Sequence, residues 1–124
     1  MKLFEDLACI EFQKNFPGEF AGYGCGPGPL GDYFVPDTVW FLSIREACRR
    51  HDWATQHSLG NSEADRKRND DMFLDNMLLI VEEKTKRKWL LKLRRRRCFT
   101  YYNMVRKFGG PSYWKNRETA NTHI

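Results

Sequence analysis

Two ionisable residues stand at the centres of two apolar helical faces, and that placement narrows the folds open to the chain. Pro36-Asp37-Thr38 reads as a helix start, with Asp37 or Thr38 as N-cap, and the helix it opens is expected to run to about Leu59. With His51 set at angle zero and 100° per residue, Trp40, Ile44, Ala47 and Thr55 fall within about 40° of it. Gly60-Asn61-Ser62 closes this helix and caps the next, with Asn61 or Ser62 as N-cap and Glu63 in the first turn. The second helix is expected to reach about Glu83. On it Phe73, Leu74, Met77 and Val81 flank Asp70 within about 60°. Burying both groups is costly unless they satisfy each other.

Register brings them together. A tight turn makes the two helices antiparallel, and the point midway between positions 51 and 70 is the turn itself. Asp71 shares the height of Asp70 but points about 100° away, and Asp65 is too near the turn. A histidine held by a buried carboxylate has the arrangement of a general base, since the carboxylate fixes the tautomer and stabilises the imidazolium. The plain alternative is a structural His–Asp pair. Asp52, the next residue, points about 100° from His51 and can meet a different segment.

That segment is the stretch from 17 to 36, which holds six of the nine glycines and four of the five prolines and reads as a loop with little regular structure. Alternate glycines in Gly24-Cys25-Gly26-Pro27-Gly28 let backbone carbonyls turn inward. Carbonyls, one carboxylate and waters make a calcium shell of six to eight oxygens; an ordinary turn is the alternative. Cys25 lies in this loop and Cys48 one helical turn before His51, so a bridge between them would pin the loop against Asp52. Elsewhere, residues 2–14 read as an amphipathic helix with Leu3, Leu7 and Ile10 at helical spacing, and roughly Lys86 to Phe108 as a third long helix. The tail after Tyr113 is polar and expected to fray. The fold class is therefore mainly α, a single domain over residues 1–124. Two antiparallel central helices follow the glycine-rich loop, with an N-terminal helix and a basic third helix beside them.

Charge adds a partner. From Lys84 to Lys107 there are eleven Lys or Arg and no acid, among them Lys88, Arg94, Arg95, Arg96 and Arg97. Such a run suits a phospholipid surface or nucleic acid, or is simply a solvated helix face. Trp89, Phe99, Tyr101, Tyr102 and Trp114 interleave with it, a mixture that fits either partner. No protein partner is predicted. No apolar run is long enough for a membrane span, and Leu7 to Ile10 is too short for a signal-peptide core. No Sec address is expected in this sequence, a trimmed signal aside, and carriage on a virus particle or a non-Sec route would fit. The four cysteines allow three pairings, and without a C-x-x-C pair they make a poor zinc site.

Three segments in this order and spacing carry a resemblance: Tyr23-Gly24-Cys25-Gly26-Pro27-Gly28, Ala47-Cys48-Arg49-Arg50-His51-Asp52, and Arg68-Asn69-Asp70-Asp71-Met72-Phe73. Over roughly residues 22–80 the chain resembles the secreted phospholipase A2 superfamily, nearest to its bacterial, fungal and parvovirus-capsid branches. The resemblance implies calcium as cofactor, held by carbonyls of Gly24, Gly26 and Gly28 and the carboxylate of Asp52. It implies a Cys25–Cys48 disulfide, His51 as the base that activates water against the sn-2 ester, and Asp70 as its supporting aspartate. Calcium and a backbone N–H near Gly26 would hold the oxyanion. The family's tyrosine four residues after the histidine is Thr55 here, so support for Asp70 is expected from Tyr101 or Tyr102, or is absent. The competing reading is a catalytically weak or inactive phospholipase-like module that binds membranes or nucleic acid through its basic helix. A metal-dependent phosphohydrolase would need further histidines that His57 and His123 do not supply in register.

Overall fold

The computed structural model describes residues 2–23, 35–58 and 60–122, with side chains up to Arg117. The chain is mainly helical. Its elements are α1 (Leu7–Asn15), α2 (Pro17–Phe20), β1 (Thr38–Val39), β2 (Leu42–Ser43), α3 (Arg45–His57), α4 (Glu63–Lys84), α5 (Lys88–Phe108) and α6 (Gly110–Thr122).

The N-terminal expectation is corrected. Residues 2–6 are not helical, because Asp6 caps α1 by accepting from the Cys9 N–H at 2.8 Å. Asn76, buried on α4, holds the extended segment by accepting from the Phe4 N–H at 2.6 Å and donating to the Phe4 carbonyl at 2.9 Å. Leu3 packs on the core while Leu7 is 84% exposed, so the Leu3-Leu7-Ile10 spacing is not a buried stripe. Pro17 ends α1 as expected but also opens the four-residue α2, within the stretch read as a loop.

The helix carrying His51 starts later than the Asp37 or Thr38 cap implies. Thr38–Val39 and Leu42–Ser43 pair as an antiparallel hairpin instead, in register Thr38↔Ser43 and Val39↔Leu42. Thr38 and Val39 are both β-branched, which favours a strand. Asp37 closes the hairpin, its carbonyl accepting from the Ile44 N–H at 2.8 Å and its carboxylate pairing with Arg45 at 3.0 Å. Trp40 therefore leaves the His51 face, while Ala47 and Thr55 stay on α3.

The α3–α4 turn follows the expected logic. Ser62 is the N-cap of α4 and forms a capping box with Asp65. A Cβ on Gly60 would lie 2.4 Å from the Asp65 Cβ, so only glycine fits there. The main core joins Val35, Val39, Ile44, Ala47 and Cys48 to Phe73, Met77, Ile80 and Val81 of α4 and to Cys98, Tyr101 and Val105 of α5. A smaller cluster of Cys9, Phe20, Trp53 and Ala54 forms at the C-terminal half of α3, with Phe12 and Tyr23 against it.

The tail does not fray after Tyr113. Gly109-Gly110-Pro111 ends α5 and starts α6, since proline is well suited to a first helical turn. Arg117 then fastens α6 over the end of α3, donating to the carbonyls of Thr55, Ser58 at 3.1 Å and Gly60 at 2.9 Å, with its guanidinium 3.5 Å above the Tyr113 ring. Arg117→Ala is expected to lower the unfolding free energy by about 2 kcal/mol, the scale of charged hydrogen bonds to buried acceptors. Urea denaturation checks this, and Arg117→Lys should recover little, because an ammonium cannot span several carbonyls at once.

Candidate active site

His51 and Asp70 meet as their register requires. His51 Nε2 lies 2.7 Å from Asp70 Oδ1, and both side chains are 5% exposed. Phe73, one turn from Asp70 on α4, stacks on the imidazole with centroids 4.6 Å apart and planes 28° from parallel. With Nε2 facing the carboxylate, Nδ1 is the ring nitrogen that can take up a proton.

Support for Asp70 comes from arginines rather than tyrosines. Tyr101 donates to the Thr38 carbonyl at 2.8 Å, and Tyr102 donates to Asp71. Thr55 donates to the carbonyl of His51 at 2.9 Å and does not reach Asp70. Asp70 Oδ2 instead receives Arg106 at 2.7 Å and Arg66 at 3.5 Å. Both guanidiniums also grip Glu63, at 2.7 and 2.8 Å, and their hydrogen bonds pull its carboxyl down to about 2. Glu63, Arg66 and Asp70 lie three and four residues apart on one helix, a spacing that could have revealed them. Arg106 was hidden in the basic run, because only the packing of α5 on α4 brings it to Asp70.

Asp52 is buried on a different side of α3, as its angle demands, and accepts from Gln56 at 3.1 Å. Its charge is felt at Tyr23, whose phenol is raised by burial first and by Asp52 second. Tyr23 also bonds to His57 Nε2 at 2.7 Å. Tyr23, the residue before Gly24, therefore packs on the C-terminal half of α3. Gly24, Cys25, Gly26 and Gly28 lie outside the described residues. Among the described residues, no group of three or more His, Cys, Asp or Glu side chains is placed to hold a metal. A single carboxylate such as Asp52 makes no calcium site without further oxygens. Cys9 and Cys98 are buried free thiols, whereas Cys48 is not a free thiol.

Two clefts lie nearby, one of about 480 Å³ between Leu3, Leu42, Arg50 and Ile80, the other of about 600 Å³ between Leu7, Gly60, Asn69 and Met72. Neither has His51 or Asp52 in its wall. On α5, Lys88, Arg95, Arg96 and Arg97 are exposed. Arg94 is not a free charge: it donates to the Trp40 carbonyl at 2.9 and 3.2 Å and to Thr85 at 2.8 Å.

The Glu63 carboxyl is low in the folded state, so its contribution is complete above its ordinary value of 4.5 and is lost as pH falls toward 2. The melting temperature should therefore drop between about pH 5 and pH 2, and Glu63→Gln should make that drop shallower in thermal scans. The change will be modest, because the carboxylate is more than half exposed. No family model matches the chain, and no curated protein or solved structure gives a significant match.

Proposed function

We propose that the chain is a calcium-dependent esterase of the phospholipase A2 type, cleaving the sn-2 ester of phospholipids. The observation that carries the reading is the buried 2.7 Å contact between His51 Nε2 and Asp70, which directs Nδ1 away from the carboxylate. In this reading Nδ1 takes a proton from a water whose oxygen attacks the sn-2 carbonyl carbon. The imidazolium, stabilised by Asp70, returns the proton to the leaving alkoxide as the ester C–O bond breaks, giving a fatty acid and a lysophospholipid. Arg66 and Arg106 keep the Asp70 carboxylate in place for that role. Calcium, held by Asp52 and carbonyls of Gly24, Gly26 and Gly28, would supply Lewis-acid stabilisation of the oxyanion beside an N–H near Gly26.

Supporting the loop's share, the described residues on either side of segment 24–34 both pack close to α3. Val35 belongs to the cluster of Ala47 and Cys48, and Tyr23 to that of Trp53 and Ala54. A Cys25–Cys48 bridge accords with Cys48 being the described cysteine that is not a free thiol.

A non-catalytic module that binds a phospholipid surface or nucleic acid is the second reading. It is favoured by the exposure of Lys88, Arg95, Arg96 and Arg97 together with Trp89 and Phe99. Fatty-acid release from phospholipid vesicles separates the two. His51→Asn should cost at least about 100-fold in rate without unfolding the chain, and Asp52→Asn should remove activity and calcium dependence together. Full wild-type activity in chelator would sink the calcium mechanism. No hydrolysis, with binding to nucleic acid that falls steeply with salt, would select the module.

A further inference from the structure

The β1–β2 hairpin has a two-residue turn built from residues poorly suited to its shape. Val39 pairs with Leu42, leaving Trp40 and Phe41 as the turn, with φ of 44° and 68°. Turns with positive φ at both positions favour Asn-Gly, because a bulky side chain is strained there. Phe41 is moreover 96% exposed, so its ring adds nothing to the core.

Yet the turn is firmly braced. Arg94 donates twice to the Trp40 carbonyl, and the Arg97 guanidinium lies 5.4 Å from the Trp40 ring centroid. Tyr101 holds the Thr38 carbonyl at the base. A strained conformation kept by its surroundings points to use.

We infer that the Trp40–Phe41 tip is a wedge that enters the surface of an anionic phospholipid bilayer. Phe41 reaches the acyl boundary, Trp40 lies at headgroup level, and the exposed guanidinium of Arg97 beside Trp40 meets an anionic headgroup. The charge matches, since no acid interrupts the chain from Lys84 to Lys107, and the neighbouring Glu82 lies 4.0 Å from Arg95 rather than at the tip. Among the described residues no helix is long and apolar enough to cross a membrane, so attachment through these residues is to the surface. One fully exposed aromatic and one partly exposed one make too small a patch for a stable protein interface. The inference extends the lipid reading to the surface on which substrate lies, but its test needs no hydrolysis.

The test measures sedimentation with vesicles of ether-linked phosphatidylglycerol or phosphatidylcholine, in chelator, together with thermal melting. Phe41→Gly should raise the melting temperature by relieving the turn, and should lower partition onto phosphatidylglycerol about tenfold by removing the ring. Phe41→Asn, which also tolerates positive φ, should lower partition likewise. Turnover of a soluble short-chain lipid should not change in either variant. Equal partition of wild type and both variants would overturn the wedge, as would wild type that binds neither vesicle or binds both equally. Wild type that binds phosphatidylglycerol through Phe41 but hydrolyses nothing would uphold the wedge and sink only the catalytic reading.

Discussion

The buried contact between His51 and Asp70 is the constraint around which three helices are arranged. Neither group can be taken from water alone without a large desolvation cost. Their meeting fixes the height of α3 against α4, and the second oxygen of Asp70 recruits Arg106 and so fixes α5. Glu63 then balances the two guanidiniums at the solvent edge. The result is a line of alternating charge from surface to imidazole. Removing Asp70 from that line would leave His51 and Arg106 without their carboxylate, commonly a loss of 3–5 kcal/mol in systems of this kind. Scaffold and candidate site are thus one network, and a variant that damages one tests the other only when stability is measured beside activity.

How much of this was legible in the sequence depended on the range of the interaction. The His51–Asp70 register was legible because a short turn makes two helices antiparallel, and equal spacing from the turn then sets equal height. The capping of α4 by Ser62 was legible as one of two candidates for the same local reason. The start of α3 was not, because Asp37 is a good N-cap by type, and strand pairing of Thr38–Val39 with Leu42–Ser43 overrode that preference. The order of the tail is hidden by its polar composition, since it depends on Arg117 finding carbonyls about sixty residues earlier in the chain. The support of Asp70 is hidden for a similar reason. The arginine that supplies it belongs to a run that looks like surface charge.

That run is not one functional unit. Arg94 is spent on the hairpin, Arg106 on Asp70, and Arg97 shares its face with Trp40. The other nine Lys and Arg between Lys84 and Lys107 are exposed. Charge counts along the sequence therefore overstate by two the cations that a partner would meet. They also hide the fact that the same residue type fixes the geometry of the buried pair.

The bonds between Phe4 and Asn76 span 72 residues of sequence. Glu5 likewise reaches Arg50 across 45 positions. Most contacts in a helical chain are local and form fast, but a closure of this length must wait for both ends to exist. During synthesis residues 2–6 emerge long before α4 is made. Residues 2–6 must therefore remain undocked until Asn76 has left the ribosome, so their contact with α4 forms only after a stretch some 70 residues longer has been made.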